Sequence, residues 1–289
     1  LILIFSLKYY EYYEIIIFLT ILVASFSRIG PVLIRMLSNH QALIFSKAQV
    51  NELLYDISKV DELENTVIEK EKFKFSNIIE VKNLSFKYKN ANEYLFKNLN
   101  FTLNKGDIVK ISGITGVGKS TLGEILIGLN DNYEGNILID GIELKTINNK
   151  WANNVNYIPQ EPYLFNDTII NNIFFGSKKS EINKNKFNEL VEICEISKTI
   201  DKFENRENTF VGERGVRLSG GENQRINIAR GLIDESDILF MDESTNALNK
   251  EVERKLFKNI LSLKKFKVIF VITHGNNLDE FFTKTIEIK

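Results

Sequence analysis

Residues 113–121 have the composition and spacing of a loop that binds phosphate groups. They fit the pattern G-x-x-x-x-G-K-[ST], with a predicted strand before them and a predicted helix after them. Glycines allow a tight loop whose backbone N–H groups turn inward, and the helix that starts near Lys119 adds the positive end of its dipole. Lys119 is predicted to reach the β- and γ-phosphates of a nucleotide, and the Ser120 hydroxyl to take one position on Mg²⁺.

A glycine-rich turn can match this pattern by chance. The loop alone therefore predicts that the chain binds a nucleotide, but it does not indicate what the nucleotide is used for. The predicted contacts within the loop are Gly113, Thr115, Gly116, Val117, Gly118, Lys119, Ser120 and Thr121.

Two carboxylates stand directly after a second apolar run, residues 238–241. In an open parallel sheet, the carboxyl end of a buried strand lies beside the phosphate-binding loop. Asp242 is therefore predicted to hold Mg²⁺ through water, and Glu243 to orient or deprotonate the attacking water. The alternative is a strand followed by a polar turn, which the pairing with the phosphate loop disfavours.

A second candidate anion site lies at residues 218–222, which read Leu-Ser-Gly-Gly-Glu. Ser219, Gly220 and Gly221 at the start of a helix would offer a capping hydroxyl and free backbone N–H groups. One chain cannot easily place two γ-phosphate sites around one nucleotide. The two sites are therefore predicted to serve different nucleotides, with a second chain supplying the other half of each.

The elements that position these residues follow from the apolar pattern. Alternation of apolar and polar residues predicts strands separated by turns. These strands cover 78–88, 99–103, 108–111 and 135–141. A mostly helical, charged stretch is predicted over 168–230, and the apolar runs 238–241 and 268–272 are predicted to be central parallel strands that close the chain. The fold class is predicted as α/β, with an antiparallel portion in front and a helical insertion in the middle.

Composition limits the class of protein. The chain of 289 residues can hold one large domain, or one domain and a smaller piece, and 44% hydrophobic residues suffice for a full core. Its 37 basic and 38 acidic residues leave no global basic field, which disfavours nucleic acid as a partner. The single cysteine, Cys194, cannot form an internal disulfide, so the soluble part is predicted to work in a reducing compartment.

The N-terminal residues are predicted to enter a membrane. Residues 15–37 are long and apolar enough to cross about 30 Å of hydrocarbon as a helix. A buried helix of a soluble protein is the alternative, while a signal peptide fits poorly because no basic segment precedes the apolar stretch. Residues 38–68 are predicted to continue the helix into water and then form a tether. Because the chain opens with Leu1 inside an apolar run, we expect a fragment of a longer product.

Together the motifs resemble the ATPase subunit of ATP-binding cassette (ABC) transporters, whose signature corresponds to residues 218–222. The resemblance covers residues 76–289 and implies a P-loop NTPase fold with a mixed β core, an antiparallel β subdomain and a helical subdomain. It implies that Tyr88 stacks on adenine, that Gln160 joins Mg²⁺ and the γ-phosphate to the membrane interface, and that His274 contacts the γ-phosphate.

The resemblance also assigns roles to the motif residues. The catalytic residues are Glu243, His274 and Lys119, the metal ligands are Ser120, Gln160 and Asp242, and the signature residues that contact a second cassette's nucleotide are Ser219, Gly220, Gly221 and Glu222.

Residues 212–215 and 166–173 resemble the exporter type of this family. By that resemblance, residues 1–39 are the remnant of a transmembrane domain, 40–75 a linker helix and tether, and 76–289 the cassette. It implies ATP and Mg²⁺ as cofactors, a homodimer or heterodimer of cassettes, and a cell (inner or plasma) membrane with the cassette on the cytoplasmic side. The segment Arg28 to Arg35 resembles the final membrane helix of lipid-linked oligosaccharide flippases, which favours a lipid or lipid-linked glycan as the transported substrate.

The chain departs from the family pattern at three positions. Asn246 and Asn249 stand where the family usually has Ser and Asp, which weakens the expected link between the two sites of a dimer. Glu222 replaces the usual Gln of the signature. Because none of these changes touches the phosphate loop or the two carboxylates at 242 and 243, hydrolysis is still expected.

Two other functions stay open at this point. A soluble cassette ATPase that clamps DNA or ribosomes predicts a basic face, a second cassette or long coiled coil, and no membrane span. A small-molecule kinase shares the phosphate loop but has no use for residues 218–222 or for His274.

Overall fold

The computed structural model describes residues 2–64, 71–89, 91, 93–176 and 182–288. The chain divides into two compact units, Leu1–Ile68 and Glu69–Lys289. Residues 65–70, where the sequence predicts part of the tether, lie outside the described residues. The division into remnant, linker and cassette stays a prediction.

The described part of the first unit is one long helix, α1 (Ile2–Glu64). Its portion Tyr12–Ser58 contains a stretch with a mean hydropathy of 2.1, none of it buried, so its length and composition allow it to cross a membrane. The hydroxyls of Thr20 and Ser25 donate hydrogen bonds of 2.8 Å to carbonyls one turn earlier. Such bonds satisfy polar groups where lipid offers no partner. The sequence predicts an apolar helix that continues into a polar one, and in the structure the two form one continuous helix.

The second unit contains an antiparallel sheet and a parallel sheet. The antiparallel sheet has the order β2-β1-β4-β5, formed by β1 (Ile78–Phe86), β2 (Phe96–Asn104), β4 (Glu134–Ile139) and β5 (Ile142–Glu143). The parallel sheet has the order β6-β7-β8-β3-β9, formed by β3 (Ile108–Ser112), β6 (Val155–Ile158), β7 (Ile238–Asp242), β8 (Val268–Ile272) and β9 (Lys284–Glu287). This architecture confirms the predicted α/β fold class.

The strands β7 and β8 are buried at every residue. Alternate side chains point to opposite faces of a strand, and in β7 Phe240 joins the core shared with the antiparallel sheet while Leu239 joins the core shared with the helices. This double coverage explains why both strands are continuous apolar runs, as predicted.

The prediction that these two strands close the chain is wrong. β9 follows them and pairs in parallel with β3, with Ile111 opposite Ile286. β9 has little apolar signal because only Ile286 of its four residues is buried, as suits a strand at a sheet edge. The strand β6, at the opposite edge of the parallel sheet, was also not predicted from the apolar pattern.

Helices pack around the two sheets, and four of them, α4 to α7, lie in the stretch 168–230 that the sequence predicts to be mostly helical. The described helices of the second unit are α2 (Lys119–Leu126), α3 (Leu144–Ala152), α4 (Ile169–Ile173), α5 (Lys184–Ile193), α6 (Ser197–Asp201), α7 (Gly220–Gly231) and α8 (Lys250–Ser262). Gly123 lets α2 lie directly on β7, since a Cβ atom there would come within 2.3 Å of the Phe240 ring. This close approach holds the start of α2, and with it the phosphate loop, against the sheet.

Candidate functional site

The site lies at the carboxyl ends of the parallel strands. The phosphate loop follows β3 and Glu243 follows β7, while His274 lies two residues beyond β8 and Gln160 two residues beyond β6. Because β8 lies between β7 and β3, these loops meet at one edge of the sheet. They enclose a cleft of about 480 Å³.

Most of the predicted site residues line this cleft. They are Tyr88, Thr115, Gly116, Gly118, Lys119, Ser120, Thr121, Gln160, Glu243 and His274.

The phosphate loop has the backbone shape that its glycines permit. Gly118, the residue before α2, has φ 100°, a left-handed conformation that side chains with a Cβ rarely adopt. Lys119 is buried, and its Nζ atom donates hydrogen bonds to the carbonyl oxygens of Gly113 at 3.1 Å and of Ile114 at 3.0 Å. The ammonium group therefore lies across the mouth of the loop, where phosphate oxygens could replace the two carbonyls.

Asp242 ends β7 beside the loop and is almost fully buried. Its Oδ2 atom accepts a hydrogen bond from the Tyr157 hydroxyl at 3.1 Å, whereas Oδ1 is buried and accepts none within the described part of the chain. Burial raises the pKa of the Asp242 carboxyl, and the nearby hydroxyls of Ser120 and Tyr157 oppose that shift. A buried oxygen without a donor, next to a hydroxyl, fits the oxygen ligands that Mg²⁺ prefers.

Glu243 is held by three side chains. Its Oε1 atom lies 3.0 Å from Nε2 of His274, and its Oε2 atom accepts hydrogen bonds from Gln160 at 3.0 Å and from Asn246 at 2.7 Å. The Glu243 backbone has φ 44°, a left-handed conformation that is uncommon for a residue with a side chain. Three contacts and a constrained backbone together fix the direction of this carboxylate.

Tyr88 borders the cleft from the antiparallel sheet. It lies two residues beyond the end of β1, outside the strand in which the sequence placed it. Its hydroxyl and the Thr121 hydroxyl are 3.0 Å apart, its ring meets Phe86 edge-on at 5.1 Å, and 55% of the residue remains exposed. A fixed, exposed ring at the entrance can stack on a base.

The signature residues form a separate feature at the start of α7. Ser219 is the N-cap of this helix, and Glu222 completes a capping box by accepting a hydrogen bond from the Ser219 backbone at 2.9 Å. Among the described residues that line the phosphate-loop cleft, none belongs to 218–222. The two features that the sequence predicts to bind anions thus do not share a cleft among the described residues.

Two contacts of the site involve side chains that the sequence did not single out: Tyr157 supports Asp242, and Lys202 contacts Glu222 at 2.5 Å. Asn246, which the sequence singled out only as a departure from the family pattern, contacts Glu243. The Asn249 side chain caps α8 by accepting a hydrogen bond from the Val252 backbone at 2.9 Å, as an aspartate could.

The family model described as "ABC transporter" matches residues 96–246, which is more than half of the chain. The chain belongs to the ABC transporter family. The resemblance inferred from the motifs is therefore confirmed, and the chain carries an ABC ATPase domain, a domain that binds ATP.

Several ABC relatives are exporters by name. The chain is 36% identical over 198 residues to a "Putative export ATP-binding/permease protein" of Rickettsia bellii, covering 68% of this chain and 34% of that protein. It is 35% identical over 194 residues to an "ATP-dependent lipid A-core flippase" of Pasteurella multocida, covering 67% of this chain and 33% of the flippase. The chain thus spans about a third of the length of these relatives.

A solved structure of a bacterial Atm1-family ABC exporter with ATP bound is also similar. The match has a TM-score of 0.70 and 27% identity, and it covers 83% of this chain and 43% of the exporter chain. The overall fold of an ABC cassette is therefore present.

Proposed function

We propose that this chain is the ATP-binding and ATP-hydrolysing part of an ABC exporter. The observation that carries the proposal is the position of Glu243, which Gln160 and His274 hold at the edge of the phosphate-loop cleft. A carboxylate fixed there can act on a water molecule beside a γ-phosphate. Because the signature residues do not line the described cleft, we propose that a second cassette completes the site.

The loop and the aromatic ring bind ATP in this proposal. The inward N–H groups of the loop and the Lys119 ammonium bind the β- and γ-phosphates, and the Tyr88 ring stacks on adenine. Lys119 exchanges its hydrogen bonds with Gly113 and Ile114 for phosphate oxygens of the nucleotide.

Ser120, Asp242 and Gln160 hold Mg²⁺ in this proposal. Asp242 offers its buried Oδ1 atom, directly or through water, and Ser120 offers its hydroxyl. The amide nitrogen of Gln160 donates a hydrogen bond to Glu243, so its amide oxygen remains to face a cation. When bound, Mg²⁺ neutralises negative charge on the phosphate oxygens.

Hydrolysis depends on the carboxylate and on closure of a dimer. Glu243 orients the attacking water and accepts its proton, and His274 holds the γ-phosphate from the other side of Glu243. Ser219 and the backbone at Gly221 of a second cassette close over the γ-phosphate, in a homodimer or a heterodimer. The reaction therefore waits until the two cassettes meet.

An exposed aromatic patch on the helical part supports contact with a membrane domain. The rings of Phe165 and Phe175 stack at 4.3 Å, with Phe175 56% exposed, and both lie near the guanidinium of Arg230. Exposed aromatic clusters of this kind mark interaction surfaces. The patch, Gln160 and the loop 212–215 are proposed to transmit closure to membrane helices.

For the whole protein, we propose residues 1–39 as the remnant of a transmembrane domain, 40–75 as the linker and 76–289 as the cassette. The cassette lies on the cytoplasmic side of a cell (inner or plasma) membrane, and the cargo is a lipid or a lipid-linked glycan. The apolar helix α1 and the printed names of the export and flippase relatives support this assignment. They do not favour the clamp that acts on DNA or ribosomes.

Two measurements on the full 289-residue chain test the proposed function. The chain should need detergent to stay in solution, and the detergent-solubilised chain should hydrolyse ATP in the presence of Mg²⁺ with inhibition by vanadate. Lys119→Ala, which removes the loop ammonium, is the control for contaminating ATPases. A chain that is soluble without detergent would favour the clamp, and phosphate transfer to a small acceptor without vanadate inhibition would favour the kinase.

A further inference from the structure

Glu222 is a negative charge at the start of the signature helix. It is 7% exposed, and its Oε2 atom accepts hydrogen bonds of 2.9 Å from both the backbone N–H and the hydroxyl of Ser219. Burial raises the pKa of Glu222, but hydrogen bonds from Lys202 and Ser219 outweigh burial and lower it to about 2. The carboxyl group is therefore ionised at neutral pH.

This charge conflicts with the task proposed for the helix start. The N-terminus of α7 is suited to an anion because of its free N–H groups and its dipole. The Glu222 carboxylate lies beside Ser219 and already interacts with the positive end of this helix dipole. It repels a γ-phosphate brought to the same N–H groups. The neutral glutamine usual at this position in the family creates no such repulsion.

Lys202 lies where it can offset the charge. Its Nζ atom is 2.5 Å from Oε1 of Glu222, on the opposite oxygen from the one that Ser219 contacts. The Thr199 hydroxyl donates a second hydrogen bond to Oε1 at 3.3 Å, and Arg225 donates to the Thr199 hydroxyl at 3.2 Å. Oε1 thus contacts one ammonium group and one hydroxyl donor, and the positive charge of Lys202 offsets the negative charge of the carboxylate.

We infer that Lys202 is a positioning residue that neutralises Glu222, so that the start of α7 can receive the γ-phosphate held by a second copy of the cassette. The Lys202–Glu222 pair takes the place of the family's neutral glutamine. This inference rests on the proposed function, because it concerns the same composite site.

The inference predicts a specific dependence between the two residues. Removing Lys202 leaves an unpaired carboxylate at the anion site, so closure around ATP becomes weaker. If the charge of Glu222 is removed as well, no negative charge remains for Lys202 to neutralise. The loss caused by Lys202→Met should therefore be large in the wild-type chain and absent in a Glu222→Gln background.

The experiment measures ATP hydrolysis against ATP concentration for the full chain in detergent. Lys202→Met should raise the half-saturating ATP concentration about tenfold, and Lys202→Arg should stay close to wild type. Lys202→Met in the Glu222→Gln background should match Glu222→Gln alone. Lys198→Met, which changes an exposed lysine on α6, the helix that Lys202 directly follows, is the control for loss of one positive charge.

Thermal unfolding of each variant separates misfolding from lost closure, and Lys202→Gln replaces Lys202→Met if the latter does not fold. Equal behaviour of Lys202→Met and Lys198→Met would overturn the inference while leaving the proposed function intact. Failure of Glu222→Gln to abolish the Lys202→Met effect would overturn it too. A wild-type chain that hydrolyses no ATP would instead reject the proposed function, and the inference with it.

Discussion

The amide nitrogen of Asn246 donates a 2.7 Å hydrogen bond to Oε2 of Glu243. The family usually has serine at this position, whose shorter side chain ends closer to the backbone. In this chain the loop after β7 thus turns back to hold the carboxylate that follows the same strand. Asn246 adds to the contacts of Gln160 and His274 and restrains the direction of the carboxylate.

We expect Asn246→Ala to lower kcat by about three- to tenfold while KM for ATP changes less than about twofold, because a lost orienting hydrogen bond acts on the transition state. Asn246→Asp should be worse, since it places a like charge against Glu243. Steady-state kinetics of the full chain checks both. Equal kcat values for wild type and Asn246→Asp would contradict an orienting role.

Glu243→Gln should bind ATP as wild type does and reduce turnover by at least about a hundredfold, because the amide keeps the shape but cannot accept the proton of water. Equilibrium binding of a fluorescent ATP analogue and a hydrolysis assay measure the two effects separately. Unchanged hydrolysis would reject Glu243 as the base.

The Tyr88 ring should contribute to nucleotide affinity by stacking. Tyr88→Ala is expected to raise the Kd for ATP about tenfold, within the range measured for stacking of one base on an aromatic side chain. Tyr88→Phe keeps the ring and loses only the contact with Thr121, so its effect should be small. Tyr94→Ala, whose hydroxyl instead contacts Glu134, is the matched control. Wild-type affinity in Tyr88→Ala would exclude the stacking role.

Glu222 should make stability depend on pH at the acid end. Its folded pKa of about 2 lies below the ordinary value of 4.5, so its contribution to the free energy of unfolding is present above about pH 4.5 and is lost as pH falls towards 2. The charged groups that face it are Lys202 and Arg225. Allowing for the exposure of Lys202, the contribution is on the order of 2 kcal/mol.

Chemical denaturation at several pH values, followed by fluorescence, measures this contribution. Trp151 is the single tryptophan of the chain and lies buried in the second unit, so its emission reports that unit. The loss of stability between pH 5 and pH 2 should be smaller in Glu222→Gln than in wild type. Identical pH profiles would contradict the lowered pKa.

The parts of the site that the sequence predicts are those whose chemistry requires a fixed local spacing. The phosphate loop, the two carboxylates at the end of β7 and the capped helix at Ser219 are each set by a few consecutive residues. Contacts between segments that are far apart in the sequence produce no such local spacing. Lys202 directly follows α6 whereas Glu222 lies on α7, and Tyr157 meets Asp242 only because β6 and β7 pair. The strand β9 was missed for the same reason, since its place depends on pairing with β3.

In the proposed function, each ATP is hydrolysed between Glu243 of one chain and Ser219 of another. Mixing two separately inactive variants tests it most directly: one chain carries Ser219→Ala and the other Glu243→Gln. In a mixed dimer one site has both residues intact and the other has neither, so hydrolysis should recover to about a quarter of the wild-type rate. If Ser219 and Glu243 of the same chain served one nucleotide, no mixture could restore activity, and a rate no higher than that of the separate variants would contradict the account.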